Sequence, residues 1–190
     1  AIDVKALGAD FYGFSIYKTY GAHHAALYGK YDLLLNHAGN INHYFYGEEK
    51  VPNKLEPGNP NYELAYSCCG VIDYLEGFAV AHGVNETGRA AIEAAFEVIT
   101  DHETALAERL LCYLRDRDDV TIIGDTSSDA DVRVPTISFL IAGSNSRDVV
   151  EAIDPSGIGI RFGDFHSKRL VQGMNLGDPD GIIRVSAVHY

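Results

Sequence analysis

The chain has 190 residues, with 27 acidic and 15 basic side chains and a formal charge of −12. That balance argues against nucleic acid or an anionic membrane as partner, because phosphate contacts need clustered Lys and Arg. With 46% hydrophobic residues the chain can build a real core, one or two domains in size. No apolar run approaches the roughly 20 residues of a membrane span, and the N-terminus lacks a signal-peptide layout. The first residue is Ala1 rather than Met, so it is expected to be processed or internal to a longer protein.

In chain order, Ile2 to Leu7 reads as a helical end closed by Gly8. Asp10 to Ser15 and Ala25 to Tyr28 read as two short strands. Both are apolar with almost no alternation, which predicts a central sheet covered on both faces. Asn36 to Gly58 mixes Gly, Asn, Pro and charge between aromatics and is expected to be a long loop of functional or interface use. Asn59 as cap and Pro60 in the first turn predict a helix running to His82 and stopping at Gly83. A second helix follows Gly88, with Ile92, Phe96, Ile99, Leu106, Leu110 and Leu114 at helical spacing, and reaches Arg115. Beyond it the pattern predicts strands at Val120–Ile123, Val134–Ile141, Ile158–Phe162 and Ile182–Val188. Short helices are expected at Asp148–Ile153 and Lys168–Met174. The division is placed between residues 83 and 84.

Three cysteines, two of them adjacent, do not suggest a disulfide framework, and no CxxC is present for a thiolate zinc site. Cys68, Cys69 and Cys112 are expected to be buried small hydrophobes on helices in a reducing, cytoplasmic setting. None of the eight histidines forms HExxH, and no GxSxG elbow is present. His23-His24 follows Lys18 closely and is expected beside the same pocket. A solvated helix face suits Asp101-His102-Glu103.

Lys18 has two readings. A lysine at a strand end among aromatics is partly desolvated, which frees its amine as a nucleophile for an aldehyde cofactor; alternatively it snorkels at the surface. A P-loop is excluded, since Tyr17 stands where that motif needs Gly. Ser15, Tyr17, Thr19 and Tyr20 offer hydroxyls for a phosphate. Gly58-Asn59-Pro60 opens a helix, which is either a second anion feature or an ordinary cap. Arg184 and Arg161 lie in short apolar strands, where each either faces solvent or holds a carboxylate.

Gly8-Ala9-Asp10-Phe11 through Ser15-Ile16-Tyr17-Lys18-Thr19-Tyr20-Gly21 resembles the lysine segment of class V aminotransferases, fold-type I pyridoxal phosphate enzymes, and the cysteine desulfurase-like branch in particular. The likeness continues through Leu55–Glu63, Arg133–Phe139 and Gly181–Tyr190, in the family's order. The resemblance implies an α/β protein. The end of a mixed seven-stranded large-domain sheet (residues 1–83) would precede a three- to four-stranded α+β small domain flanked by helices (84–190). It implies pyridoxal 5'-phosphate as cofactor, an amino acid as substrate and a homodimer with shared sites. Lys18 would form the Schiff base and move the substrate proton. Ser15 and Tyr17 would hold the cofactor phosphate, Gly58 and Asn59 would reach the partner subunit's phosphate, and Arg184 would bind the substrate carboxylate.

Two departures from the family's pattern bear on the reaction. The loop Gly163-Asp164-Phe165-His166-Ser167 has no Cys where desulfurases carry their nucleophile, which leaves lyase, epimerase and transaminase steps open. The chain also matches only the C-terminal half of such an enzyme. It is therefore expected to be a fragment with little activity alone and a tendency to associate. The competing expectations are a non-catalytic α+β module and a phosphate-ligand binder built on Gly58-Asn59.

Overall fold

A computed structural model describes residues 2–176 and 180–190; the expectation about Ala1 lies outside the described residues. The chain forms two compact units, Ala1–Phe96 and Glu97–Tyr190. The mixed α/β character is present as two small antiparallel sheets with helices.

In the first unit, β1 (Phe11–Ser15) pairs antiparallel with β2 (Ala25–Gly29), Phe11 opposite Gly29 and Ser15 opposite Ala25. Lys30 fastens the open end of this hairpin: its N–H donates to the Asp10 carbonyl and its Nζ donates to Asp10 Oδ1 at 2.6 Å. The Asp10 carboxylate pushes the Lys30 ammonium above its ordinary pKa. The apolar strands were expected to be covered on both faces, but Phe11, Phe14 and Leu27 are exposed. Two five-residue strands form too small a surface to bury much by themselves.

The expected long loop is an ordered structure. After α1 (Tyr31–Asn36) the chain folds around Lys54, whose side chain is fully buried. Lys54 Nζ donates to the carbonyls of Leu35 and Ala38, both at 2.9 Å, and to Glu48 Oε2 at 3.4 Å. In return the Lys54 carbonyl accepts from the N–H groups of Ile41 and Asn42. Asn42, also buried, donates from Nδ2 to the carbonyls of Asn53 and Glu56. Hydrophobic periodicity cannot reveal such a segment, because polar groups rather than an apolar face organise it.

The next helix starts two residues later than expected. Asn61 is its cap, accepting from the Leu64 N–H at 2.8 Å, and α2 spans Tyr62–Ser67. A second segment, α3 (Cys69–Ala81), follows directly and ends before Gly83, whose φ is +83°. Asn59 and Asn61 both fit the cap rule; the main-chain geometry selects Asn61. The stretch Tyr62–Ala81, with mean hydropathy 1.2, is long and apolar enough to cross a membrane, contrary to the sequence expectation. Glu63, Asp73 and Glu76 interrupt the apolar run without lowering its average far. Length and composition support nothing further, since core helices pass the same test. Leu75 and Ala79 are buried here, whereas Tyr62, Tyr66 and Val80 are exposed. Cys69 and Cys112 are exposed and Cys68 is half-buried, so the burial expected for them does not hold. Cys69 and Cys112 lie on α3 and on the helix ending at Arg115, and Cys68 sits in the turn between α2 and α3.

The long helix α4 (Gly88–Arg115) runs from the first unit into the second. In the second unit it contributes Ala107, Leu111 and Leu114, spaced four and three apart, to a core with Ile137, Phe139, Val150, Ile160 and Ile183. These pack on a four-stranded antiparallel sheet of order β3-β4-β6-β5: β3 (Val120–Ile123), β4 (Thr136–Ile141), β5 (Arg161–Gly163) and β6 (Ile182–Ser186). The helices α5 (Ser146–Ile153) and α6 (Lys168–Gly173) complete the unit. Ser146 is buried and donates to the Gly181 carbonyl at 2.8 Å, tying α5 to the start of β6.

Lys54→Met keeps most of the volume and removes the donors. It should cost about 2–3 kcal/mol of stability, because the carbonyls of Leu35 and Ala38 lose a charged donor; denaturant unfolding measures this, and an unchanged midpoint would show the network to be dispensable. Asn61→Ala should cost about 1 kcal/mol by the same measurement, with Asn59→Ala close to neutral.

Candidate functional site

Sharp local constraints hold the Lys18 turn. β1 ends at Ser15, and Ile16–Lys18 forms a single 3₁₀ turn. The Ile16 carbonyl accepts from the Thr19 N–H, the Thr19 hydroxyl and the Gly21 N–H, at 2.9, 2.9 and 3.1 Å. The Ile16 N–H donates to the His24 carbonyl at 2.8 Å, closing the turn against the start of β2. A Cβ at position 21 would collide with Ile16 Cγ2 and meet Val71 Cγ2 on α3 at 3.0 Å, so glycine lets these side chains close over the turn. Tyr20 takes a left-handed φ of 65°, with its ring 5.5 Å from that of Tyr74 on α3.

This frame leaves Lys18 outside. Its side chain is exposed, with Nζ 5.7 Å from the Tyr17 ring centroid. The expected partial desolvation is therefore absent: the turn carries the amine outward instead of folding it against the aromatics. Tyr17 stacks on His23 at 5.1 Å with the rings 19° apart. Ser15 makes no capping bond with its side chain, so its hydroxyl stands available on the same turn. Of the other two hydroxyls, that of Thr19 is committed to the Ile16 carbonyl and the Tyr20 ring packs toward α3.

Gly58 has φ +80° and open space where a Cβ would stand. Asn59 is exposed and caps nothing, and α2 begins only at Tyr62. The helix start expected at Gly58-Asn59 is thus displaced, and the Asn61 side chain itself accepts from the Leu64 N–H there. The Asn42 bond to the Glu56 carbonyl anchors this turn at its base.

Arg184 lies on β6 of the second unit, half-buried, between Ser138 of β4 and Arg161 of β5 in the strand register. Phe165 stacks on it, its ring centroid 4.0 Å from Arg184 Cζ. Phe165 and His166 both have left-handed φ, 51° and 64°, in a loop closed by bonds from the His166 N–H to Asp164 Oδ1 and from the Ser167 N–H to the Asp164 carbonyl. Two consecutive non-glycine residues rarely adopt this conformation, and such strain gathers at functional sites. The sequence reading did not single out Phe165; a lone aromatic in a loop carries no periodic signal. Among the described residues, no group of three or more His, Cys, Asp and Glu is arranged to hold a metal ion.

The family model for aminotransferase class-V matches residues 1–190. An aminotransferase-like protein of Gibberella zeae, FGM3, is 42% identical over the whole chain, which spans 44% of its length. The cysteine desulfurase-like protein ustD of Aspergillus flavus is 30% identical, again over the whole chain and 40% of its own length. Among solved structures, a cysteine desulfurase of Thermococcus onnurineus NA1 superposes with a TM-score of 0.72 at 20% identity, over 98% of this chain and 44% of that one. The Escherichia coli cysteine desulfurase CsdA gives 0.67 at 24% identity, over 98% and 43%. The chain thus spans less than half the length of these relatives. An exposed lysine on a glycine-dependent turn and a stacked arginine on a small antiparallel sheet occur here in a sequence matched from end to end, and the chain belongs to the class-V aminotransferase family.

Proposed function

We propose that this chain carries the lysine side of a pyridoxal phosphate-dependent site acting on an amino acid. The observation that carries the reading is the Lys18 turn, rigid in its main chain yet presenting a primary amine to solvent. The donor set fits the cofactor: an amine for its aldehyde, and the nearby hydroxyls of Ser15 and Tyr17 for its phosphate. When bound, pyridoxal phosphate supplies an aldehyde for an amine to capture and an electron sink for bonds at the substrate α-carbon.

The protein's own residues then have separate tasks. Lys18 Nζ holds the cofactor and, once released, takes and returns the proton at the substrate α-carbon. Stacking on His23 fixes the orientation of the Tyr17 ring, and with it the position of the hydroxyl offered to the cofactor phosphate. The Arg184 guanidinium takes the substrate carboxylate with two parallel N–H bonds, and Phe165 fixes its plane. Gly58 and Asn59 reach toward the phosphate of a partner subunit in a homodimer with shared sites. Cofactor-side work falls to residues 1–83 and substrate-side work to 84–190. Sulfur abstraction is not proposed: Asp164 to Ser167 contains no thiol, while Cys69 and Cys112 are exposed elsewhere on helices. Exposed free thiols suit a reducing compartment such as the cytoplasm.

Titration with pyridoxal phosphate should give a saturable visible absorbance, and borohydride should fix the cofactor to Lys18, read by peptide mass. Lys18→Ala should lose both signals. Equal labelling of several lysines would overturn the reading. The exposed apolar surface at Phe11, Phe14, Leu27, Tyr62 and Tyr66 should drive self-association, checked by light scattering, and a monomer across the micromolar range would count against the dimer.

A further inference from the structure

Antiparallel register places Arg161 of β5 directly opposite Arg184 of β6. Directly opposed residues share a face of the sheet. The next pair along, Phe162 and Ile183, points the other way, since Ile183 is fully buried in the core. Arg161 and Arg184 therefore stand together on the face away from the core, with Ser138 next in the row. Like charges directly opposed destabilise a sheet. No carboxylate pairs with either arginine among the described residues, as is also true of Arg109, Arg133 and Arg169. Arg161 is exposed and Arg184 half-buried, so solvent screens part of their repulsion, and an incoming anion would offset what remains. The strained Phe165 lies against the face of the Arg184 guanidinium, its ring centroid 4.0 Å from Cζ.

We propose that Arg161 is a specificity-determining residue that binds a second anionic group of the substrate, so that the preferred substrate is an amino acid with an acidic side chain. The inference rests on the assignment of the α-carboxylate to Arg184. The two side chains start from directly opposed positions on one face, within reach of the two carboxylates of a short diacid. One guanidinium then takes each carboxylate, and the repulsion between them becomes a shared attraction for a doubly charged ligand.

Isothermal titration of the cofactor-loaded natural protein that carries this chain, with L-aspartate and with L-asparagine, tests this. The two ligands have nearly the same shape and differ in charge. Aspartate should bind at least about tenfold more tightly, the size expected of a charge-assisted contact. Arg161→Gln should reduce that ratio below about threefold, and Arg161→Lys, which keeps a cation, should recover part of it. Arg184→Gln should weaken both ligands. A ratio unmoved by Arg161→Gln, with both ligands weakened by Arg184→Gln, overturns this inference alone. Binding insensitive to Arg184→Gln, or no binding of either ligand, overturns the carboxylate assignment and this inference with it.

Discussion

An ammonium group taken out of water must find acceptors, and in the first unit Lys54 finds them on three different parts of the chain. The Leu35 carbonyl near the end of α1, the carbonyl of Ala38 and the carboxylate of Glu48 all converge on one nitrogen. Buried and without these partners, that charge would be prohibitive. With them it fixes a segment lacking both strand and helical periodicity. The consequence reaches further along the chain, because the same knot holds Asn42, and Asn42 holds the carbonyl two residues before Gly58. A polar hub thus defines the approach to one of the candidate phosphate contacts and to the Asn61 cap beyond it.

The Lys18 turn uses the opposite strategy. Its rigidity comes from main-chain bonds concentrated on the Ile16 carbonyl and from a glycine that lets Ile16 and Val71 close together. Its lysine is left in solvent. The two lysines divide the work by environment: Lys54 gives up all its donors to structure, and Lys18 keeps its amine available for chemistry. The second unit repeats the contrast among arginines. Arg115 pairs with Glu108 and Arg117 with Asp119, and in each pair the partners hold each other in the charged form. Arg184 is instead held by an aromatic ring, which orients a guanidinium without neutralising it.

Much of the element order was legible in the sequence. The helix from Gly88 to Arg115 and the strand at Val120–Ile123 lie where apolar spacing and the following Gly124 place them. The alternation of Ile137, Phe139 and Ile141 marks β4 correctly, with its start two residues later at Thr136. Failures occurred where one residue type allows several environments. Asn59 and Asn61 are equally good caps in a string of letters. Cysteines on amphipathic helices can face either way, and here they turn outward. An unbroken apolar strand signals burial, yet β1 and β2 expose Phe11, Phe14 and Leu27 because what covers a strand is a property of its surroundings.

Local chemistry along the chain determined the family likeness, the long helix to Arg115 and the strands at Val120–Ile123 and Thr136–Ile141, because each depends on residues close in sequence. Tertiary structure alone decided that Lys18 is exposed, that Lys54 is buried, that Phe165 covers Arg184 and that Arg161 faces Arg184 across a strand pair. These are matters of solvent access and of contacts between distant residues. Both are set by packing and strand register, which no local pattern of residues encodes.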